Sequence, residues 1–203
     1  LEEISSSSGE LPYLPIHSQS PVYDGRVGEM RRFRGDGLFQ VVTISIVVPP
    51  IMLDSHMLFA FTPSSSDVPH FTVDSVKAGD TYAFHLDLIP RVDLGENLDY
   101  INHVYEPLTQ AYEHATTIEG LTAPKLSPKQ RAIMSPWMLV HRATESAFKT
   151  LFSHVDGYLN YWYGLVDQGV VSPVSAAELA ARDKANRAAI FSPEIDPVWK
   201  RIE

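Results

Sequence analysis

Hydrophobic and polar positions divide the chain into a strand-patterned first half and a helix-patterned second half. Residues 38–48 hold a nearly unbroken β-branched run, Val41-Val42-Thr43-Ile44-Ser45-Ile46-Val47-Val48, stopped by Pro49-Pro50. Such a run predicts a buried strand. Residues 57–61 predict a shorter strand, closed by Thr62-Pro63 and the serines that follow. The clearest pattern lies at residues 69–91, where two alternating runs flank Lys77-Ala78-Gly79-Asp80. This predicts a β-hairpin. A period of two puts His70, Thr72 and Asp74 on one face of its first strand, with Phe71, Val73 and Val76 as apolar partners. His85 and Asp87 form a second same-face pair on the returning strand. The connections are too short for helical crossovers, so the predicted sheet is antiparallel.

From residue 98 the period changes. Leu98, Ile101, Val104, Tyr105, Leu108 and Tyr112 recur at helical spacing over residues 98–115, and Pro107 predicts a kink. Ala143, Ala147, Leu151, Val155, Leu159 and Trp162 form one stripe over residues 142–166, with Gly169 as the stop. Ser175-Ala176-Ala177-Glu178 is a capping box that opens a helix running to about residue 191. Strands first and covering helices later predict an α+β fold, an antiparallel sheet flanked by helices as an α/β/α sandwich. Residues 1–22, rich in Ser, Pro and Gly, read as a loosely ordered lead-in to a single domain over residues 23–203.

Composition narrows the chemistry. A net charge of −9 and a pI near 5.3 argue against nucleic acid, whose binders need a basic face. There are no cysteines, so disulfides, thiolate nucleophiles and cysteine-held iron–sulfur clusters are excluded within these 203 residues. No run of apolar residues is long enough for a transmembrane helix. The sequence starts at Leu1, so a targeting segment is not visible. The eight histidines are scattered, with no His-Glu-x-x-His and no His-x-His pair, and no metal site is expected. Glycine loops for nucleotides and a Gly-x-Ser-x-Gly elbow are absent as well. Redox chemistry in such a chain would need electrons from outside or by way of a bound cofactor.

Asp74 then stands out, because a plain strand would carry Val or Thr there. A carboxyl pressed against a sheet has its charged form disfavoured by desolvation, and can hold a proton to donate near neutral pH. The plainer reading of an Asp near a strand end is a cap or a solvated side chain. Arg31, Arg32 and Arg34 form the densest basic cluster, fit either to dock an acidic partner or to protect a strand edge. Arg182, Lys184 and Arg187 share one helix, at spacings that cannot all lie on one face.

The order of these features resembles the red chlorophyll catabolite reductase family, related to the ferredoxin-dependent bilin reductases. The residues that carry the resemblance begin with an acid on a strand and a hairpin. Leu86-Asp87-Leu88-x-Pro90-Arg91-x-Asp93-Leu94 follows, then Asn97, Asp99-Tyr100-Ile101 and Tyr105. A second segment, Arg182-Asp183-Lys184-Ala185-Asn186-Arg187, precedes Glu194-Ile195-Asp196 and Trp199. The resemblance implies ferredoxin-dependent reduction of an open-chain tetrapyrrole by single-electron steps, with no bound cofactor, electrons from reduced ferredoxin and protons from buried acids. Red chlorophyll catabolite is the preferred substrate. A biliverdin-type bilin, or a non-catalytic tetrapyrrole-binding protein on the same scaffold, are the alternatives.

The resemblance also implies site residues. Asp74 is the first proton donor. Glu194 falls at the family's functional C-terminal acid, normally Asp, with Asp196 two residues on as the competing choice. His70, which the family pattern does not supply, and Thr72 would touch the substrate from the Asp74 face, and Arg187 would meet its propionates. Arg31, Arg32, Arg34 and Lys184 would dock ferredoxin. A homodimer is left open. The implied location is the chloroplast stroma for a plant or alga, and otherwise the cytoplasm.

Overall fold

A computed structural model of the protein describes residues 1–4, 13–21, 23–171, 174–190, 192 and 194. Its centre is an antiparallel sheet of nine strands. These are β1 (Glu2–Ile4), β2 (Tyr13–Ser20), β3 (Tyr23–Gly35), β4 (Leu38–Val48), β5 (Leu53–Phe61), β6 (His70–Ala78), β7 (Thr81–Ile89), β8 (Leu121–Thr122) and β9 (Leu139–Ala143). The order across the sheet is β1-β3-β4-β5-β6-β7-β9-β8, with β2 also paired to β3. The helices are α1 (Leu98–Tyr100), α2 (Thr109–Thr116), α3 (Pro128–Ile133), α4 (Glu145–Thr150), α5 (Phe152–Gln168) and α6 (Ala176–Ile190). The predicted α+β class is what forms.

Local chemistry explains the joints. The β-branched run becomes β4, and Pro49 and Pro50 open a single 3-10 turn behind it. That turn closes through Met52 at a left-handed φ of 51°. The hairpin of β6 and β7 turns at Gly79, whose φ is also left-handed at 61°, a conformation that costs glycine no Cβ clash. Gly28 serves a close approach instead, because a Cβ there would sit 1.9 Å from the Ser45 carbonyl oxygen of β4.

Alternation sorts the sheet into two faces. On one, Val41, Ala60, Phe71 and Leu88 stand side by side in register and are buried. Leu86 and Leu139 sit in the row below them, fully buried. α5 covers this face through Trp162, whose ring lies 5.6 Å from that of Phe71 and whose Nε1 donates to the Pro69 carbonyl at 2.7 Å. α4 covers it through Phe148, which packs on Tyr82 and Phe84. Full burial of side chains this size contributes about 1.5–3 kcal/mol each, so this face holds the core. α6 and the stretch after α3 meet the opposite face, through His70 and Asp87 respectively.

Three expectations need correction. The lead-in over residues 1–22 contains β1 and β2, and β2 runs along β3 for its whole length; residues 5–12 and 22 lie outside the described residues. The helix expected over residues 142–166 starts later, because Arg142 and Ala143 belong to β9 and Thr144 caps the helix by accepting from the Ala147 N–H. The arginine cluster is not one patch. Arg31 to Arg34 lie within β3, so Arg31 faces the side opposite to Arg32 and Arg34. Pro107 behaves as expected: the helical run from α1 to α2 passes through a π turn at Ile101–Tyr105 and a 3-10 turn at Glu106–Leu108.

Candidate active site

The sheet face opposite the core carries two cross-strand rows of interest. One runs Met30, Ile44, Met57, Asp74, His85 and Val140 across six strands. The next runs Arg32, Val42, Phe59, Thr72 and Asp87. Met30, Ile44, Met57 and Phe59 are only half-buried. The result is an apolar platform, partly open, with ionisable groups set into it.

Asp74 and His85 are direct partners in the register of β6 and β7, and His85 Nδ1 donates to Asp74 Oδ2 at 2.8 Å. Their side chains are 30% and 15% exposed. One step along, Asp87 is fully buried. The Ser135 hydroxyl and the Ser135 N–H, the latter at 3.0 Å, both donate to its carboxylate. Burial pushes the Asp87 carboxyl up, against the opposing pull of His85 and the Ser135 hydrogen bonds. Beside it, Thr72 Oγ1 is buried with no hydrogen-bond partner among the described residues. An unpaired buried hydroxyl is a cost unless something else binds it. The face thus offers a hydrogen-bonded Asp–His pair, a buried acid pushed toward its neutral form, and a hydroxyl without a partner among the described residues.

A different network closes the end of this face nearest α6. Arg91 is fully buried and grips Asp183 with two N–H groups, Nε to Oδ1 at 3.0 Å and Nη2 to Oδ2 at 2.6 Å. Its Nη1 donates to Thr62 Oγ1 at 3.0 Å, to the Pro63 carbonyl at 2.8 Å and to the Ser66 carbonyl. His70 Nδ1 accepts from the Thr62 N–H at 3.2 Å, so its Nε2 carries the proton and donates to Asp183 Oδ1 at 3.2 Å. Burial lowers the His70 pKa below the usual histidine value. At Asp183 burial pushes upward, but the hydrogen bonds from His70 and Arg91 outweigh it and hold the carboxyl at about 2. Asn186 adds a donor to the Pro90 carbonyl at 3.0 Å. Together these bonds latch α6 to the sheet. The Asp-Lys-x-x-Arg stretch read from the sequence is therefore, at Asp183, a structural clamp.

The candidate residues fall into separate places. Asp74 and Thr72 share the platform. His70 shares their face but is committed to the latch, with Phe61 edge-on at 5.2 Å. Arg187 is exposed and borders a small hollow with Phe59, Phe61, His70 and Ile190. Lys184 is exposed on α6. Arg32 lies in the Thr72 row, and Arg34 is exposed beside Glu2 of β1 in register. Arg31 points to the other face, where Glu29 Oε1 accepts from it at 2.6 Å and the Tyr13 ring lies 5.7 Å away. Glu194 is exposed, its carboxylate 4.0 Å from Lys129 Nζ, instead of enclosed with Asp74. Asp196 and Trp199 lie outside the described residues.

Sequence reading left His85 and Asp87 out of the site. Their same-face spacing was visible, but only the register places His85 on Asp74 and Asp87 beside Thr72. Among the described residues no group of three His, Asp or Glu side chains is arranged to hold a metal ion, and no helix is long and apolar enough to cross a membrane.

The comparisons with known proteins agree with the resemblance read from the sequence. Over 97 residues the chain is 33% identical to red chlorophyll catabolite reductase of Hordeum vulgare. That match covers 47% of this chain and 44% of the Hordeum protein, so it spans less than half of the curated relative. Phytochromobilin synthase from tomato, solved in complex with biliverdin, superposes with a TM-score of 0.70 over 91% of this chain and 65% of that one. The fold is that of phytochromobilin synthase. At 20% sequence identity the likeness speaks for the fold alone. No family model matches the chain.

Proposed function

We propose that this protein reduces an open-chain tetrapyrrole held on the platform around Asp74. The observation that carries the reading is the Asp74–His85 pair, hydrogen-bonded in the middle of a half-open apolar row. A flat conjugated pigment fits such a surface, since apolar walls with a few convergent polar groups are what small-molecule sites offer. The names of the similar proteins support the class: one is a reductase of red chlorophyll catabolite, the other was solved with biliverdin. Red chlorophyll catabolite is the preferred substrate, because the sequence match is to its reductase.

Reducing one double bond of the pigment takes two electrons and two protons. We assign the electrons to reduced ferredoxin, delivered singly, so that the pigment holds the unpaired electron between steps. Protons reach it from the Asp74–His85 pair, with Asp87 as the second source. Burial favours the protonated form of Asp87, and His85 lies between the two acids along β7. General acid catalysis of this kind is worth about 10²–10⁴ in rate. Arg32 and Arg187, at two borders of the platform, would meet propionate groups.

The test is turnover of red chlorophyll catabolite under anaerobic conditions with reduced ferredoxin, followed by pigment absorbance and electron consumption. Reduction that stops with Asp74→Asn while pigment binding persists supports the reading. A pigment that changes colour on mixing but consumes no electrons makes the protein a binder instead, and turnover of biliverdin in its place moves the substrate to the bilins.

A further inference from the structure

The outer edge of β9 borders a second cavity, of about 690 Å³. β8 pairs with Arg142 and Ala143, so among the described residues the edge of β9 before them has no strand alongside, and the chain after β8 walls a space there. Leu126, Met138 and Val140 give this space an apolar lining, and Lys125 and Arg131 are its two cations. Among the described residues no carboxylate lines it, although the chain carries 25 acids against 16 Lys and Arg. Neither cation has a salt bridge among the described residues. Arg131 is placed by α3, whose first turn is fixed by the reciprocal Ser127–Gln130 capping box.

The wall also contains His141, 8% exposed, whose Nδ1 is buried with no hydrogen-bond partner among the described residues. Burial lowers its pKa below the usual histidine value, so near neutral pH the ring is uncharged and one of its nitrogens carries a proton. A buried ring nitrogen without a partner costs stability unless a ligand meets it. The volume lies within the range of small-molecule sites, about 300–1,000 Å³.

We propose that this edge cavity is a second binding site, for an organic carboxylate with an apolar body. Lys125 and Arg131 meet the carboxylate, the His141 ring hydrogen-bonds the polar end of the ligand, and Met138, Val140 and Leu126 cover its apolar part. The cavity meets the platform at Val140, which ends the Asp74 row, and at Ser135, which donates to Asp87; Asp74, Thr72 and His85 do not line it, and its occupant sits at the outer edge of β9.

The probe is 1-pyrenebutyrate, followed by its fluorescence on titration with the whole chain, with neutral 1-pyrenemethanol as the control. Pyrenebutyrate should bind more tightly than the alcohol, and saturating biliverdin should not displace it. Arg131→Gln with Lys125→Gln, both at exposed positions and so compatible with folding, should weaken it at least about tenfold, as expected for charged hydrogen bonds. His141→Phe should weaken it several-fold while the circular dichroism spectrum is kept. Equal binding of acid and alcohol, or unchanged affinity in the double variant, would overturn the site. Displacement by biliverdin would make the cavity part of the pigment site and overturn its separate role, whatever the outcome of the turnover assay.

Discussion

Asp183 and Asp74 serve the same face of one sheet, yet their neighbours hold them in different ways. Asp183 is clasped by a guanidinium that never loses its proton, and the clasp with His70 holds the carboxyl at about 2. It cannot give a proton near neutral pH. Asp74 is held instead by the imidazole of His85, 2.8 Å away. The difference teaches that an acid on a functional face is not identified by burial or by charge alone. The hydrogen-bond partner separates the two: a guanidinium at Asp183, an imidazole at Asp74.

The largest effect should come from breaking the clamp. Arg91→Met leaves Asp183 ionised and enclosed without its partner, which should cost about 3–5 kcal/mol in urea unfolding. Asp183→Asn strands the guanidinium and should cost a similar amount. The double variant Arg91→Met with Asp183→Leu should cost less than the sum, as for residues that act as a unit. A cost below about 1 kcal/mol for either single change would remove the clamp from the account of stability.

At the other end of the comparison, Asp74→Asn should leave urea unfolding nearly unchanged and lower pigment turnover by more than about tenfold. His85→Phe should lower turnover in the same direction, since it removes the group that shares the proton. If Asp74→Asn destabilised the fold as much as Asp183→Asn, the division of labour between the two acids would fail.

Acid titration sharpens the contrast by a smaller margin. His70, His141 and His154 all have pKa values lowered by burial. His154 also accepts or shares a proton with His114 across 3.0 Å between α2 and α5. A histidine with a depressed folded-state pKa binds its proton less readily folded than unfolded. Its contribution to stability is present above about pH 6.5 and is lost as pH falls through the folded value. Each such group contributes a slope of at most about 1.4 kcal/mol per pH unit. Unfolding free energy should therefore drop on going from pH 7.5 to pH 5.5, and His154→Phe should make that drop shallower. Asp183 acts lower: its contribution is present above about pH 3.8 and goes only as pH falls through about 2. A chain equally stable at pH 7.5 and 5.5 would contradict the histidine assignments.

The smallest effect belongs to the arginines of β3. Arg32→Ala should weaken pigment or donor interaction several-fold, in a salt-dependent way, because Arg32 stands in the Thr72 row. Arg31→Ala should change neither, since Arg31 points to the other face and is engaged by Glu29. Equal losses from the two changes would mean that the side of the sheet does not matter to binding.

Much of the frame was legible before the structure. β4, the β6–β7 hairpin with its Gly79 turn, the irregular helix around Pro107 and the capping box before α6 announce themselves through local rules, and each formed. β3 and β9 did not. Tyr23–Gly35 shows no clean alternation because Arg and Gly interrupt it, and it becomes a strand by pairing with three others. Leu139–Ala143 is five residues long and runs into a helical stripe, so its pattern merged with the helix. A caution was available in Thr144, which has the residue type of a helix cap just after β9.

What the sequence alone determined is the set of local decisions: which runs are strands, where the chain turns, and that His70, Thr72 and Asp74 share a face. These depend on side-chain period and on the dihedral freedom of single residues, which act over a few positions. The tertiary structure decided the partners. Register across β6 and β7 put His85 against Asp74, closure of α6 put Arg91 on Asp183, a residue 92 positions away, and the direction of β3 split its arginines between two faces. Partners are set by long-range packing, where a shift of one residue turns a side chain to the other side of the sheet. That is why the acids could be found by reading the chain, while their hydrogen-bond partners came only from the fold.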